Sequence, residues 1–257
     1  MSSAKATACG LLDTTEAIAH MVDTLVSGLP SLSPSIYIDL EGVNLSRHGT
    51  ISILQIYHRS TGQSYLVDVK TLGEAAFSTR GTIIPMTLKA ILELASIPKA
   101  IFDVRNDSDA LYAHFGIRLQ GMHDIQLMEY ATRTYQGKFL CGLKKCIERD
   151  MSTFMTTAEK HNWIRAKEEG VKLFDPAQGG SYEVFNQRPL PEKIRVYCVQ
   201  DVAYLPRLWD LYNGKLNHEW GMKVREETKN RVVQSQGPGF GEEGKSKALP
   251  PKGWERR

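Results

Sequence analysis

Between residues 14 and 27 the apolar side chains fall at Ile18, Met21, Val22, Leu25 and Val26. This three-and-four spacing predicts an amphipathic helix with Thr14 or Thr15 as its N-cap. The Gly- and Pro-containing run at 28–34 breaks it. Three strand-like runs follow, SIYIDL at 35–40, TISILQIYH at 50–58 and QSYLVDV at 63–69. The turns between them hold Gly42, Gly49 and the S-T-G of 60–62, which predicts an antiparallel three-stranded meander. The period then changes. Helices are expected over 86–95 and 106–115, the second ending at Gly116 as a C-cap, with a short buried strand at 100–104 between them. Further helices are expected over 125–133, 140–149 and 157–169. Residues 170–191 are rich in Gly and Pro and read as irregular. A long helix is expected over 191–211, opened by Pro191 and kinked or broken by Pro206. The order βββαβα followed by helices predicts an α/β domain with a mixed sheet.

The chain has 257 residues, 42% hydrophobic and 24% charged, which suits one large domain with extensions. The expected division is an N-terminal segment with one helix (1–33, its first twelve residues flexible), a folded body (34–216) and a basic, extended or disordered tail (217–257). No run of about 18 apolar residues predicts a membrane span. The first ten residues lack the basic start and apolar stretch of a secretory signal, so an intracellular location, cytoplasm or nucleus, is expected. Cys9, Cys141, Cys146 and Cys198 form no C-x-x-C pair and read as reduced thiols. From Asn217 onward there are nine Lys/Arg against six Asp/Glu, which accounts for the whole net charge of +3. Attraction to a polyanion must therefore come from local patches or from the tail.

Several acidic positions stand out by where they fall. Asp39 and Glu41 end the first strand in I-Y-I-D-L-E-G, and residues two apart on a strand share a face. They repel one another unless a cation lies between them, and an uncompensated charge is costly beside Ile36, Ile38 and Leu40. A strand end dipping into solvent would carry the same residues harmlessly. In F-D-V-R-N-D-S-D-A-L-Y-A-H-F-G, Asp103, Asp107 and Asp109 compete. Leu111 and Phe115 follow Asp107 by four and eight residues, so Asp107 shares their core-facing stripe. Asp109 should point to solvent, and Asp103 is placed to meet backbone amides of the next helix. All three also suit the positive end of a helix dipole. Tyr197 and Asp201, four apart in Y-C-V-Q-D, share one helix face, as an idle pair also would.

Taken together, these positions fit two-metal phosphoryl hydrolysis. That chemistry needs three or four carboxylates from different elements around two divalent ions about 3.5–4 Å apart. All-oxygen ligation suits Mg²⁺ or Mn²⁺ and not zinc, and a tyrosine hydroxyl nearby can orient the attacking water.

The chain resembles the DEDDy 3′–5′ exonucleases of the ribonuclease H-like superfamily, on the ribonuclease D side, over residues 34–213. The resemblance rests on D-L-E at 39–41, S-I-L-Q-I at 52–56, the helix opening with Asp107 nine residues before Gly116, H-D-I-Q-L at 123–127 and G-L-K-K-C-I at 142–147. R-P-L at 188–190 followed by Y-C-V-Q-D-V-A-Y-L at 197–205 is its most specific part. The stretch G-S-Y-E-V-F-N-x-R-P-L at 180–190 looks most like the fungal 3′–5′ exonuclease-domain group. The resemblance implies a ribonuclease H-like α/β fold, a central mixed sheet of about five strands flanked by helices, with 34–216 as the exonuclease domain. It implies Asp39, Glu41, Asp107 and Asp201 as ligands of two Mg²⁺ or Mn²⁺ ions and Tyr197 as the residue that positions water. A register shifted onto Asp109 is the alternative for the third carboxylate. The implied substrate is the 3′ end of single-stranded nucleic acid, RNA or DNA, with release of nucleoside 5′-monophosphates.

The chain departs from the ribonuclease D pattern in two ways. Residues 151–187 are longer than the matching loop, and no second helical nucleic-acid-binding domain follows 216. Some relatives have lost the carboxylates, so a non-catalytic RNA-binding or adaptor module on the same fold is the rival reading. Secondary candidates for substrate contact are Asn44, Arg47 and His48 after the D-L-E strand, and Lys144 and Lys145 on a helix. Trp163, Arg165, Lys167, Lys172 and Phe174 combine stacking and phosphate-binding types, although ordinary packing explains Trp163 equally well. Asp124 reads as a helix cap. Lys245, Lys247, Lys252, Arg256 and Arg257 make the tail basic and able to steer nucleic acid.

Overall fold

The alternating runs fold as strands of one sheet. In the computed structural model, which describes residues 8–27, 33–135, 137–151, 154–241 and 244–254, these are β1 (Ala8–Leu12), β2 (Ile36–Glu41), β3 (Ile53–His58), β4 (Gln63–Asp68), β5 (Lys99–Ile101) and β6 (Met122–Asp124). Their spatial order is β1-β4-β3-β2-β5-β6. The centre is the expected meander, β2 and β4 each antiparallel to β3. β1 adds parallel to β4, and β5 and β6 continue parallel from β2. Six strands thus stand where about five were expected. β1 and β6, five and three residues long, are too short to show an alternation. Over residues 8–12, β1 corrects the expectation of flexibility: it pairs its backbone along β4. Residues 1–7 and 28–32 lie outside the described residues.

The helices are α1 (Thr15–Val26), α2 (Val69–Leu72), α3 (Ala75–Ser78), α4 (Leu88–Glu93), α5 (Arg105–Phe115), α6 (Ile125–Thr132), α7 (Leu143–Asp150), α8 (Thr157–Phe174), α9 (Glu192–Ala203), α10 (Leu205–Asn213) and α11 (His218–Gln236). Thr14 caps α1 by accepting from Ala17 N at 3.3 Å. Gly116 ends α5 in the left-handed conformation, φ 61°, where a Cβ would be strained. The long helix expected over 191–211 is two helices that break at Tyr204, and Pro206 falls in the first turn of α10, where its missing N–H has no partner to lose. α8 runs past its expected end to Phe174 behind a capping box of Thr156 and Glu159.

Side-chain alternation along β2 sets the two layers. Ile36, Ile38 and Leu40 are buried with Ile18, Met21 and Leu25 of α1, Leu88, Ile91 and Leu92 of α4 and Leu111 of α5. Full burial of each such aliphatic side chain is worth about 1.5–3 kcal/mol. A one-residue slip would forfeit that for the whole strand, so the opposite face is left for Tyr37, Asp39 and Glu41. That second layer is covered by α6, α9 and α10. Tyr37 packs with Ile125, Leu127, Val202 and Leu208, and Ile53 and Leu66 of the neighbouring strands pack with Ile194, Tyr197 and Cys198.

The C-terminal region also corrects the expectation of an extended or disordered tail. It opens with the nineteen-residue α11, capped by Asn217, which accepts from Trp220 N at 2.8 Å. The inward residues of α11 are Gly221, Val224, Thr228, Arg231, Val232 and Ser235. They recur at helical spacing but are mostly small or polar: Val224 and Val232 join two hydrophobic clusters, and Arg231 meets charged partners. Further on, Lys247 Nζ donates to Asn106 Oδ1 at 2.6 Å and Leu140 N donates to Ala248 O at 2.8 Å. The Trp254 ring packs against Trp220 and Tyr130. Residues 242–243 and 255–257, with Arg256 and Arg257, lie outside the described residues. Among the described residues no helix is long and apolar enough to cross a membrane.

Candidate active site

Parallel pairing of β2 with β5 puts the carboxyl ends of both strands at one edge of the sheet, the usual place for a site in α/β folds. Asp39 and Glu41 lie at that end of β2. The chain leaving β5 enters α5, whose first turn carries Asp107. α9 crosses β2, β3 and β4 and presents Tyr197 and Asp201, both buried, to the same edge. Carboxylate oxygens of Asp39, Glu41 and Asp201 all lie within 4.8 Å of one another. Asp107 is the fourth member electrostatically: the charge of Asp39 acts on it, and its own charge acts on Glu41.

The competing acids of α5 separate cleanly. Asp109, expected to point to solvent, is 1% exposed. It accepts from Arg47 N at 2.8 Å and Arg47 Nε at 2.7 Å. The arginine reaches it from the loop after β2, which the spacing within α5 could not reveal. Arg47 also donates to Ser235 O and Gly237 O, so it anchors the end of α11 instead of facing a phosphate. Asp103, expected to meet amides of the next helix, is held by Arg105 at 2.6 Å through both oxygens. The cap at this junction is Asp124, which accepts from Asp103 N, Val104 N and Gln126 N.

Clustering and burial make these carboxylates hard to ionise together. Burial, and then the Asp201 charge, pushes Asp39 up to about 7, against the pull of Lys167. Burial and the Asp39 charge hold both Glu41 and Asp107 well above the ordinary carboxylate range. Burial and the Asp201 charge raise Tyr197 too, so its hydroxyl keeps its proton at neutral pH. Asp107 Oδ1 is buried with no hydrogen-bond partner among the described residues. Three carboxylates within 4.8 Å of one another, with a buried, unpartnered acid that acts on them electrostatically, are what a hard divalent cation would satisfy, so the donor set fits Mg²⁺ or Mn²⁺.

One cation of the chain already reaches in. Lys167 of α8 places Nζ 2.7 and 2.5 Å from the two oxygens of Asp201 and 3.0 Å from the Tyr197 hydroxyl, with the ammonium 4.1 Å from the Tyr197 ring centroid. Residue type alone placed Lys167 among possible phosphate contacts, and nothing in the spacing tied it to Asp201. Trp163, one turn earlier, is buried against Tyr204. Lys144 lies exposed near Glu148 and Glu168. The R-P-L stretch has a structural reason: Arg188 donates twice to the fully buried Asp68 at 2.6 Å and so pins the entry to α9.

Gly170 explains how α8 sits so near Tyr197. A Cβ on Gly170 would stand 2.6–2.8 Å from three Tyr197 side-chain atoms. Glycine costs a helix interior about 1 kcal/mol relative to alanine, and here it permits the approach. Gly170→Ala should lower kcat about 100-fold by displacing the phenol, the scale of a misplacement of about 1 Å, with melting temperature within a few degrees of wild type. Unchanged kcat in steady-state assays would detach the Tyr197 position from turnover.

A mixed α/β sheet with carboxylates clustered at its carboxyl edge defines a ribonuclease H-like fold. The chain belongs to the 3′–5′ exonuclease family, whose profile matches residues 14–217. Among curated proteins, the piRNA biogenesis protein EXD1 of Mus musculus is 27% identical over 168 residues, covering 64% of this chain and 26% of that protein. The Homo sapiens protein of the same name is 27% identical over 170 residues, 65% of this chain and 30% of its own length. The match thus spans less than a third of either relative. Among solved structures, Trypanosoma brucei RNase D in complex with GMP superposes with a TM-score of 0.73 at 20% identity, covering 95% of this chain and 69% of that one. The same enzyme in complex with RNA gives 0.71 at 21%, covering 95% and 76%. Brucella melitensis NrnC with bound Mg²⁺ gives 0.55 at 19%, covering 81% and 88%.

Proposed function

We propose that this chain hydrolyses nucleic acid stepwise from a 3′ end, releasing nucleoside 5′-monophosphates, with Asp39, Glu41, Asp107 and Asp201 holding two Mg²⁺ or Mn²⁺ ions. The observation that carries this reading is the convergence of carboxylate oxygens from β2 and α9, those of Asp39, Glu41 and Asp201, within 4.8 Å of one another. When bound, such ions would make water a better nucleophile at neutral pH and offset charge on the leaving 3′-oxygen. The chain's own residues supply the rest. The four carboxylates would hold the ions. Tyr197, protonated at neutral pH, offers a hydroxyl to orient the attacking water. Its proton is retained because nearby negative charge and burial both oppose ionisation. The RNA and nucleotide complexes of the structural relatives support a nucleic-acid substrate.

The test is incubation of matched 5′-labelled single-stranded RNA and DNA with Mg²⁺, Mn²⁺ or EDTA. A ladder shortening from the 3′ end, abolished by EDTA, is the expected result, and the ratio of RNA to DNA rates sets the substrate. Binding without shortening in either metal would replace this reading with the adaptor one.

A further inference from the structure

The insertion that separates this chain from the ribonuclease D pattern delivers a positive charge into the carboxylate cluster. Lys167 comes from α8, and its side chain is 12% exposed against 4% for the Asp201 side chain it meets. Nζ contacts both Asp201 oxygens, so neither is left without a cationic partner. It also lowers the cost of ionising Asp39 and Glu41. An ammonium and a divalent ion cannot share one carboxylate at such distances without strong repulsion.

We propose that Lys167 is a built-in counter-cation that competes with the metal for Asp201, so that metal loading requires the ammonium to leave. This rests on the reading of Asp201 as a metal ligand. The motion belongs to the side chain and not to the helix. α8 is fastened on both sides of Lys167, by Trp163 buried in the core and by Gly170 and Phe174 against the Tyr197 ring. The lysine stem has four methylenes with freely rotating bonds, and lysine ammoniums are strongly hydrated and readily drawn to solvent. The consequence is a metal threshold. The ammonium partly neutralises the cluster. Only a cation that outcompetes the ammonium can occupy Asp201.

The experiment compares the full chain with Lys167→Met and Lys167→Gln, reading Mn²⁺ affinity by calorimetry and melting temperature in EDTA. Removing the charge should tighten Mn²⁺ binding at least tenfold in both variants. Both should melt below wild type in EDTA, with the gap closing at saturating Mn²⁺. Glutamine separates charge from contact: it can still hydrogen-bond Asp201 and Tyr197, so wild-type Mn²⁺ affinity in Lys167→Gln would overturn the proposal, as would unchanged or weaker binding in Lys167→Met. If neither wild type nor variants bind Mn²⁺, the metal reading of the site itself fails. If all bind alike, only the competition fails.

Discussion

Asp39→Ala is expected to reduce exonuclease activity by at least about 1,000-fold, beyond the 10–100-fold typical of losing an outer-shell partner of a metal, while the fold survives. Asp39 sits in the carboxylate cluster on the face of β2 away from Ile36, Ile38 and Leu40, so the strand keeps its apolar anchor. The metal-free stability should even improve, with a pH signature. Asp39 is pushed up to about 7 in the folded chain, first by burial and then by Asp201, against about 3.9 when unfolded. Between these values the folded state holds a proton that the unfolded state has released. Its stabilising contribution is therefore present below about pH 4 and is lost as pH rises to about 7. Deleting the carboxylate removes that loss. In EDTA the alanine variant should match wild type near pH 4 and melt higher than wild type above pH 7, and divalent metal should raise the melting temperature of wild type far more than that of the variant. Retained hydrolysis by the purified variant, or a variant that melts lower at pH 8 in EDTA, would contradict this role.

Elements whose apolar residues make one regular stripe were legible in the chain. The β2–β4 meander, α1 with its Thr14 cap and α5 with its Gly116 stop all follow from local pattern. So does the face shared by Asp39 and Glu41, because strand alternation leaves only two sides and three aliphatic residues take one of them. Elements stabilised by distant polar partners were not legible. Asp109 looked solvent-facing because nothing in α5 foretells Arg47, 62 residues away. α11 reads as a tail in the sequence because most of its buried face, Gly221, Thr228, Arg231 and Ser235, is small or polar, with only Val224 and Val232 apolar. That face has helical spacing but the wrong chemistry for a search keyed to apolar residues. Asn217, an N-cap type, and Glu219 in the first turn are local signals of its start. Lys167 reaches Asp201 from 34 residues away; its helix is legible from residue 157 on, but nothing in the local pattern ties the lysine to Asp201.

The same polar docking leads to the largest expected effect on stability. Arg231, 4% exposed, donates through Nη1 to Asp124 Oδ2 at 2.6 Å and Gln126 Oε1 at 3.1 Å, and lies 3.5 Å from Asp103 Oδ1. Asp124 is fully buried and in turn receives the amides of Asp103 and Val104, the two residues that lead into α5. Arg231→Met keeps the apolar stem and removes the charge, leaving Asp124 buried without its cation. Breaking a buried pair in this way costs about 3–5 kcal/mol, which for a domain of this size lowers the melting temperature by roughly 10 °C. Because Asp124 holds the turn that presents Asp107, the variant should also lose activity below its melting point. Arg231→Met combined with Asp124→Asn should recover part of the stability, since the amide's oxygen still accepts from the backbone and no uncompensated charge remains. Thermal denaturation of the two single variants and the double variant at neutral pH measures the coupling directly. Additive losses would mean that α11 is held by its apolar contacts, with Arg231 and Asp124 energetically independent of each other.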